Sequence, residues 1–252
     1  MAQDSERDTV ERFSDRAADY VRYRPTYPPE AIDAILDGLG LPERLVAADV
    51  GAGTGISARL LGERGVRVIA VEPGDVMRRA AAPHPNVVWV AGRAEATGLA
   101  SQAVDLVLCA QSFHWFRTAD ALAEFARILE ERGRLAIGWN RRSRSDPFTA
   151  GYRQAIVDVG GEIADETRTF DPNVIRDSGL FSSPERTRFP NFQRLDLAGL
   201  IGRARSASYV PKSGASGDRL LGLLRALHER YADRDGVVTL VYETEVFCAT
   251  RL

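Results

Sequence analysis

Between Leu45 and Trp139 the apolar residues fall into short, nearly unbroken runs, each followed by a stretch of helical period. Leu45 to Val50 (LVAADV) predicts a strand buried on both faces, and a glycine-rich turn leads from it into a helix over Ile56 to Glu63. Val66 to Val71 predicts a second strand, Val76 to Ala82 a helix, and Val87 to Ala91 a third strand. Val104 to Ala110 (VDLVLCA) predicts a fourth strand with a helix over Ala119 to Glu131 behind it. Gly133 and Arg134 then turn the chain into a fifth strand, Leu135 to Trp139. Apolar strands alternating with helices imply a parallel sheet covered on both faces.

The flanks follow other rhythms. Val10, Phe13, Ala17, Tyr20 and Val21 recur at helical spacing up to Tyr23, where YRPTYPP (Tyr23 to Pro29) forces an extended turn. Helix resumes over Glu30 to Leu39, with Ile32, Ile35, Leu36 and Leu39 on one face and Gly40 closing it. Beyond Asn140 the pattern loosens. RRSRSD (Arg141 to Asp146) reads as a charged loop and Tyr152 to Val159 as a short helix. The chain then stays polar to about Arg194, dotted with Phe170, Phe181, Phe189 and Phe192. A helix near Leu197 to Arg203, a strand or turn at Ala207 to Val210, a helix at Asp218 to Tyr231 and a long strand at Val237 to Arg251 complete it.

Composition changes this picture little. The 252 residues are 44% hydrophobic and 27% charged with net charge −2, an ordinary globular balance that argues for neither a nucleic-acid nor a membrane partner. Lys212 is the sole lysine; the other basic residues are arginines. Cys109 and Cys248 sit in apolar strand-like runs without paired spacing, which predicts small buried hydrophobes rather than a disulfide framework. No apolar run approaches the ~18–20 residues of a membrane span, and MAQDSERDTVERF is unlike a signal or transit peptide. A cytoplasmic protein is expected.

The chemistry gathers at the carboxyl ends of the predicted strands. VAADVGAGTG places Gly51, Gly53 and Gly55 between the first strand and its helix, where a ligand's backbone-like portion can lie against the turn and a Cβ would block it. The helix N-terminus adds free N–H groups suited to a carboxylate. The second strand ends at Glu72, 21 residues beyond Gly51, placed to accept from ribose hydroxyls. Two nucleoside cofactors compete for such a unit. The dinucleotide fingerprint G-x-G-x-x-G wants glycine where Ile56 stands, and the third glycine comes one residue early, at Gly55.

DVGAGTG resembles the first motif of class I S-adenosylmethionine (SAM)-dependent methyltransferases. Y-x-x-Y-R-P-x-Y-P (Tyr20 to Pro28), the EP at Glu72, AEATGL (Ala94 to Leu99), QSFHWF (Gln111 to Phe116), WN at Trp139 and Val241 to Val246 are similar, in that order, to the small-molecule enzymes of the trans-aconitate methyltransferase group. The resemblance spans the chain. It implies a Rossmann-like doubly wound α/β sheet of about seven strands, mostly parallel with an antiparallel C-terminal strand. It also implies one domain over 1–252: a helical lid (1–40), a SAM-binding core (41–140), a substrate cap (141–200) and the last part of the sheet (201–252).

The same resemblance assigns roles. Gly51 and Gly53 would pack on the methionine part of SAM, Asp49 would help bind its amino group, and Tyr20 and Arg24 would lie near its carboxylate. Glu72 would hold the ribose, with Pro73 and Met77 bordering the adenine and the Ala94 N–H facing the ring. Many relatives carry Asp where Arg93 stands, so Glu95 or a carbonyl would have to accept from the adenine amino group. Gln111, Phe113, Trp115, Trp139, Asn140 and Tyr152 would line the cofactor and acceptor side. Methyl transfer needs nucleophile, methyl and sulfur in line with water excluded, and aromatics suit a cationic sulfonium.

His114 has two readings: general base for an OH or NH acceptor, or hydrogen-bonded packing residue. Arg141, Arg142 and Arg144 read as a solvated charge run or as an attraction for an anionic substrate. No Asp/Asn-Pro-Pro-aromatic tetrad follows the fourth strand, no acidic or His pair stands at metal-ligand spacing, and Ser112 lacks the glycines of a nucleophile elbow. Transfer of methyl from SAM to an O, N or C nucleophile of a small molecule, by a monomer or homodimer without a metal, is the leading expectation. A catalytically silent SAM- or metabolite-binding protein and an NAD(P)-dependent oxidoreductase are the alternatives.

Overall fold

A computed structural model describes residues 21–160, 170–207, 210 and 213–252. The expected N-terminal helix therefore lies outside the described residues except at 21–23, which are helical, and Tyr20 lies outside them as well.

The alternating region forms as its pattern predicts. Helix α1 (Pro29–Leu36) precedes β1 (Val46–Val50), α2 (Ile56–Gly62), β2 (Arg67–Val71), α3 (Asp75–Ala80), β3 (Val87–Val90), β4 (Val104–Ala110), α4 (Thr118–Ile128) and β5 (Leu129–Arg142). Four successive pairings, β1 with β2, β1 with β4, β2 with β3 and β4 with β5, are parallel. After them come α5 (Pro147–Gly160), α6 (Asn173–Asp177), β6 (Glu185–Leu195), α7 (Leu197–Arg205), α8 (Gly214–Tyr231) and β7 (Val238–Thr250). The seven strands lie in the order β3-β2-β1-β4-β5-β7-β6.

β7 runs antiparallel to β5: the Ser143 N–H donates to the Val241 carbonyl and the Arg251 N–H to the Gly133 carbonyl, so residue numbers fall along one strand as they rise along the other. β6 is antiparallel to β7 in the same way, through the Phe181–Arg251 bridge and the Ser182 N–H on the Thr250 carbonyl. Two antiparallel strands, not one, thus close the sheet. The sequence pattern predicts no regular element over 185–195. ERTRFPNFQRL shows no clean alternation because β6 is the outermost strand and keeps most of its side chains exposed. Its Pro190 fits an edge, where one side of the strand needs no ladder partner.

Smaller differences have local causes. α1 stops at Leu36 rather than Leu39, and the chain turns through Gly38 and Gly40, both at positive φ. α4 ends at Ile128 and β5 begins at once. The predicted turn at Gly133 is a bulge inside β5, because Val104 pairs with Leu129 while Leu106 pairs with Arg134. Arg132 takes φ 62° within it. The Val210 N–H donates to the Ala207 carbonyl, and residues 208 and 209 of the expected strand or turn lie outside the described residues.

Backbone proximity divides the chain into two compact units. One holds Thr26–Trp139, Phe170–Phe189 and Thr244–Leu252. Its strands are apolar on both faces for a visible reason: Leu106 and Leu108 pack with α1 and α2, while Val107 and Cys109 pack with α4, where Leu122 and Phe125 are fully buried. In this unit β1 leads to β2 and β3 on one side and the chain returns to β4 on the other. The direction reverses between β1 and β4, where open α/β sheets bind ligands.

The other unit comprises the described parts of Met1–Pro25, Asn140–Thr169 and Pro190–Glu243. Phe148, Tyr152 and Ile156 of α5, Leu200 and Ala204 of α7, Leu220 and Leu224 of α8, and Val238 and Leu240 of β7 form its core. Tyr23 joins it. The Gln193 Nε2 donates to the Tyr23 carbonyl at 2.8 Å, and the ring lies so close to α7 that a Cβ on Gly202 would overlap it. Gly202→Ala is expected to destabilise the protein by ~1–3 kcal/mol through overpacking, and by much less in a Tyr23→Ala background. Urea unfolding of the four proteins in that cycle tests the contact; additive losses would disprove it.

Candidate functional site

At the strand reversal, β1 leaves the sheet through Gly51, Gly53 and Gly55, whose φ values of 69°, 58° and 76° are left-handed. Side chains with a Cβ rarely adopt that region, so the turn itself demands glycine. The protein adds a second demand. A Cβ at Gly51 would lie 2.6 Å from the Ser112 Cβ, and one at Gly55 would lie 2.9 Å from the Trp89 ring. Bare backbone at Gly51 and Gly55 is thus required by neighbouring side chains and not, as the sequence alone suggests, by a ligand only. Ser112 matters in its own right: its hydroxyl donates to the Val50 carbonyl at 2.8 Å, joining the ends of β1 and β4. Nothing in the sequence pattern singles it out for that role.

Glu72, at the end of β2, is braced by the loops it faces. Its Oε2 accepts from the Gly53 N–H at 2.9 Å and its Oε1 from the Gly74 N–H at 2.8 Å. Burial raises its pKa, an effect that these two N–H groups and the Arg78 guanidinium oppose. Each carboxylate oxygen still has capacity to accept once more. Arg78 also donates to the Glu72 and Pro73 carbonyls, so the turn into α3 is held open at a fixed angle. Pro73 is exposed and Met77 buried beside it.

Asp49 lies one strand away and is wholly buried. Its Oδ2 accepts from the Ser57 hydroxyl at 2.7 Å, and its Oδ1 has no hydrogen-bond partner. Desolvation pushes its pKa up to about 7; Ser57 and the Ala58 N–H resist, and the Glu72 charge adds to the rise. The Thr54 hydroxyl, at the tip of the same glycine turn, is likewise buried without a partner. Buried polar atoms of this kind are few in folded proteins and point to a group that the site is shaped to receive.

The loop after β3 brings Ala94 and Glu95 to the same end of the sheet. Ala94 is buried, and Glu95 directs its Oε1 at the Arg117 N–H, 2.8 Å away. Gln111 follows β4 with φ 60°, its N–H donating to the Gly138 carbonyl. The aromatic run then makes a 3-10 turn over Phe113–Trp115. Its residues part company. Phe113 turns inward, edge-on to Phe170 at 5.3 Å and Phe116 at 6.0 Å. Trp139 is also buried, against Phe170 and Phe247. Trp115 remains 39% exposed. The half-buried His114 ring sits 4.8 Å from that of Trp115 and 6.5 Å from that of Trp139. Most of the expected aromatic wall therefore supports the loop from beneath, leaving Trp115 at the surface.

Three other expected site residues belong to the second unit. The Arg24 guanidinium donates to the Ser206 carbonyl at 3.1 Å. Asn140 accepts from the Asn191 amide at 3.0 Å, and Tyr152 is fully covered with the Arg142 guanidinium 5.3 Å over its ring. Arg142 is buried and so is no part of a solvated charge run. Among the described residues no group of three or more His, Cys, Asp or Glu stands close enough to hold a metal, and no helix is long and apolar enough to cross a membrane.

Known proteins share both the motif and the architecture. A methyltransferase-domain family model matches residues 48–137, the span from Ala48 on β1 into β5. Uncharacterized methyltransferases of Mycobacterium tuberculosis and Mycobacterium bovis are 34% identical over 98% of this chain and 98% of their own. A protein assigned as a type II methyltransferase from Anaeromyxobacter dehalogenans shares the fold with a TM-score of 0.67 at 23% identity, covering 90% of this chain and 97% of its own. A protein from Anabaena variabilis assigned as an antibiotic-pathway methyltransferase does so with a TM-score of 0.63 at 23% identity, covering 92% and 100%. The glycine turn, its two carboxylates and these full-length relatives together establish that the chain belongs to the methyltransferase family, as an enzyme that uses S-adenosylmethionine.

Proposed function

We propose that this enzyme methylates an O, N or C nucleophile on a small molecule and that the first unit's strand ends hold its cofactor. The observation that carries the placement is the buried Oδ1 of Asp49, a half-satisfied carboxylate at the ligand-binding reversal of the sheet. A carboxylate in that state suits a cationic amino group, which the methionine end of the cofactor presents. Glu72, held rigid by Gly53 and Gly74, has oxygens left to accept from two neighbouring hydroxyls of a ribose. Gly51 and Gly53 offer bare backbone to the methionine part, Pro73 and Met77 an apolar edge, and Ala94 and Gln111 border the nucleoside. Tyr20 and Arg24 are assigned to the carboxylate end by resemblance.

Bound there, the cofactor supplies a methyl group on a positively charged sulfur, open to in-line displacement. The chain's own work is alignment and proton management. Trp115 shields the reacting side from water, while Phe113 and Trp139 pack against Phe170. His114 takes the proton from an OH or NH acceptor through a ring nitrogen. Asn140 and Tyr152 are assigned to the acceptor side. The order of the short motifs from Tyr20 to Val246 supports a place near the trans-aconitate methyltransferase group, and with it a small metabolite as substrate.

Three outcomes are expected. Glu72→Ala should weaken S-adenosylhomocysteine binding by ~10- to 100-fold in calorimetry while leaving the circular dichroism spectrum unchanged, since charge-assisted hydrogen bonds each contribute ~1.5–3 kcal/mol. Unaltered affinity would remove Glu72 from the site.

pH provides the second test. The fold raises the pKa of Asp49 from 3.8 to about 7, so the folded chain holds a proton that the unfolded chain releases. Its stability contribution is complete below the unfolded value and is lost as pH rises through the folded one. Binding of an ammonium group runs the other way, because it needs the ionised form. Affinity for S-adenosylhomocysteine should increase roughly tenfold between about pH 6 and about pH 8, and Asp49→Asn should flatten that dependence. A flat profile in the unsubstituted protein would place the amino group elsewhere.

Last, His114→Ala should leave that affinity intact and lower turnover on an acceptor found by metabolite screening by at least ~10²-fold. Full turnover in the variant would make His114 a packing residue, and binding without turnover of any acceptor would favour a silent binding protein.

A further inference from the structure

Helix α4 has an unusual start. Its N-cap is Arg117, whose side chain makes no cap hydrogen bond. In a capping box the third helical residue reaches back to the N-cap N–H. Here that residue is Asp120, and it is paired instead with the Arg117 guanidinium at 3.4 Å. The N-cap N–H is satisfied from a different part of the chain, by Glu95 Oε1 at 2.8 Å.

That bond is the first of a series along one face of the helix. Glu124 Oε1, a helical position seven residues on, accepts from the Thr97 N–H at 2.9 Å and the Thr97 hydroxyl at 2.6 Å. Arg127, three residues further, donates to the Leu99 carbonyl at 2.7 Å and the Ser101 hydroxyl at 3.1 Å. The two helix residues also bind each other, Arg127 Nε donating to Glu124 Oε2 at 2.7 Å, and these bonds hold Glu124 below the usual carboxylate range against the effect of its own burial. Between its ends the loop is stiff. Arg93 and Ala96 exchange backbone hydrogen bonds, and a Cβ on Gly92 would stand 2.5 Å from the Thr97 carbonyl oxygen.

Two loops with different duties thus meet at Arg117. One carries Ala94, placed above at the nucleoside base; the other runs back from Arg117 through Phe116 and Trp115 to His114. We propose that Glu95 is a positioning residue, not an acceptor for the adenine amino group: its bond to the Arg117 N–H makes the base-side loop and the His114 loop one mechanical piece. The proposal rests on the cofactor placement given above for its second half only. The tie itself is a property of this chain, and α4 with Glu124 anchors it. The consequence is communication, because filling the base side steadies the loop that handles the acceptor.

Hydrogen exchange resolved to single amides, on the full-length protein and on Glu95→Ala and Glu95→Gln, tests this without any acceptor. Glu95→Ala should speed exchange at Arg117 about tenfold, the loss of one hydrogen bond, while Glu95→Gln, which keeps an accepting oxygen, stays near the original rate. Saturating S-adenosylhomocysteine should slow exchange over 113–117 in the unsubstituted protein and in Glu95→Gln, but not in Glu95→Ala. Its dissociation constant in Glu95→Ala should stay within about threefold, and the preference over S-inosylhomocysteine, which lacks the amino group, should persist. Unchanged Arg117 exchange, or protection of 113–117 surviving in Glu95→Ala, would overturn the proposal. So would a tenfold loss of affinity in which that preference disappears, since it would make Glu95 the adenine acceptor. If the unsubstituted protein does not bind S-adenosylhomocysteine at all, the cofactor placement fails, and the Arg117 rate in the ligand-free proteins alone decides the tie.

Discussion

Two carboxylates at the ends of adjacent parallel strands govern this protein. Asp49 and Glu72 are both withdrawn from water, and the Glu72 charge raises the cost of ionising Asp49. Burying such groups is unfavourable unless partners are supplied, and the fold supplies them unevenly. Glu72 receives two backbone N–H groups, which also peg the glycine turn and the turn into α3 at their working distance. Asp49 is supported by the Ser57 hydroxyl and the Ala58 N–H, yet its Oδ1 is left unsatisfied. The deficit costs stability, and in the proposed placement a cationic amino group at Asp49 would recover part of what folding gave up.

The rest of the first unit keeps that pair in place. Alternate residues of β4 lock into opposite helical layers, so the strand cannot slide without turning its apolar side chains the wrong way. Ser112 then fastens β4 to β1 by a single hydrogen bond to Val50, close enough that Gly51 has no room for a side chain. Glycine there serves the fold, and in the proposed placement it would serve the ligand as well. A substitution at that turn would then damage stability and binding at once, and neither loss would report on the other.

The second unit is built on different terms. Its helices α5, α7 and α8 share a core with the ends of long strands, and a chain of hydrogen bonds runs through several of its polar residues. Arg203 donates to Tyr242, Tyr242 to Gln193, and Gln193 to the Tyr23 carbonyl. Two residues assigned to the substrate, Asn140 and Tyr152, lie here, one hydrogen-bonded to Asn191 and the other packed in the core, which makes their conformation a matter of packing before it is a matter of recognition. Tyr152 is the clearest case, covered on all sides and stacked with Arg142.

The sequence by itself determined the alternating core, because strands buried on both faces must be apolar throughout and their helices must show one apolar stripe. Both patterns are local and survive in a linear reading. It also determined the glycine turn and the acidic end of β2, since backbone chirality and the length of a strand–helix–strand unit are local too. Only the tertiary structure decided that β6 is a strand, for an edge strand with exposed side chains leaves no periodic trace. It alone decided that Phe113 and Trp139 face inward, that Ser112 joins two strands, and that Glu95 caps a helix 22 positions away. Those outcomes depend on which segments lie side by side, and proximity in space is set by the closure of the whole sheet, not by the order of residues along any part of it.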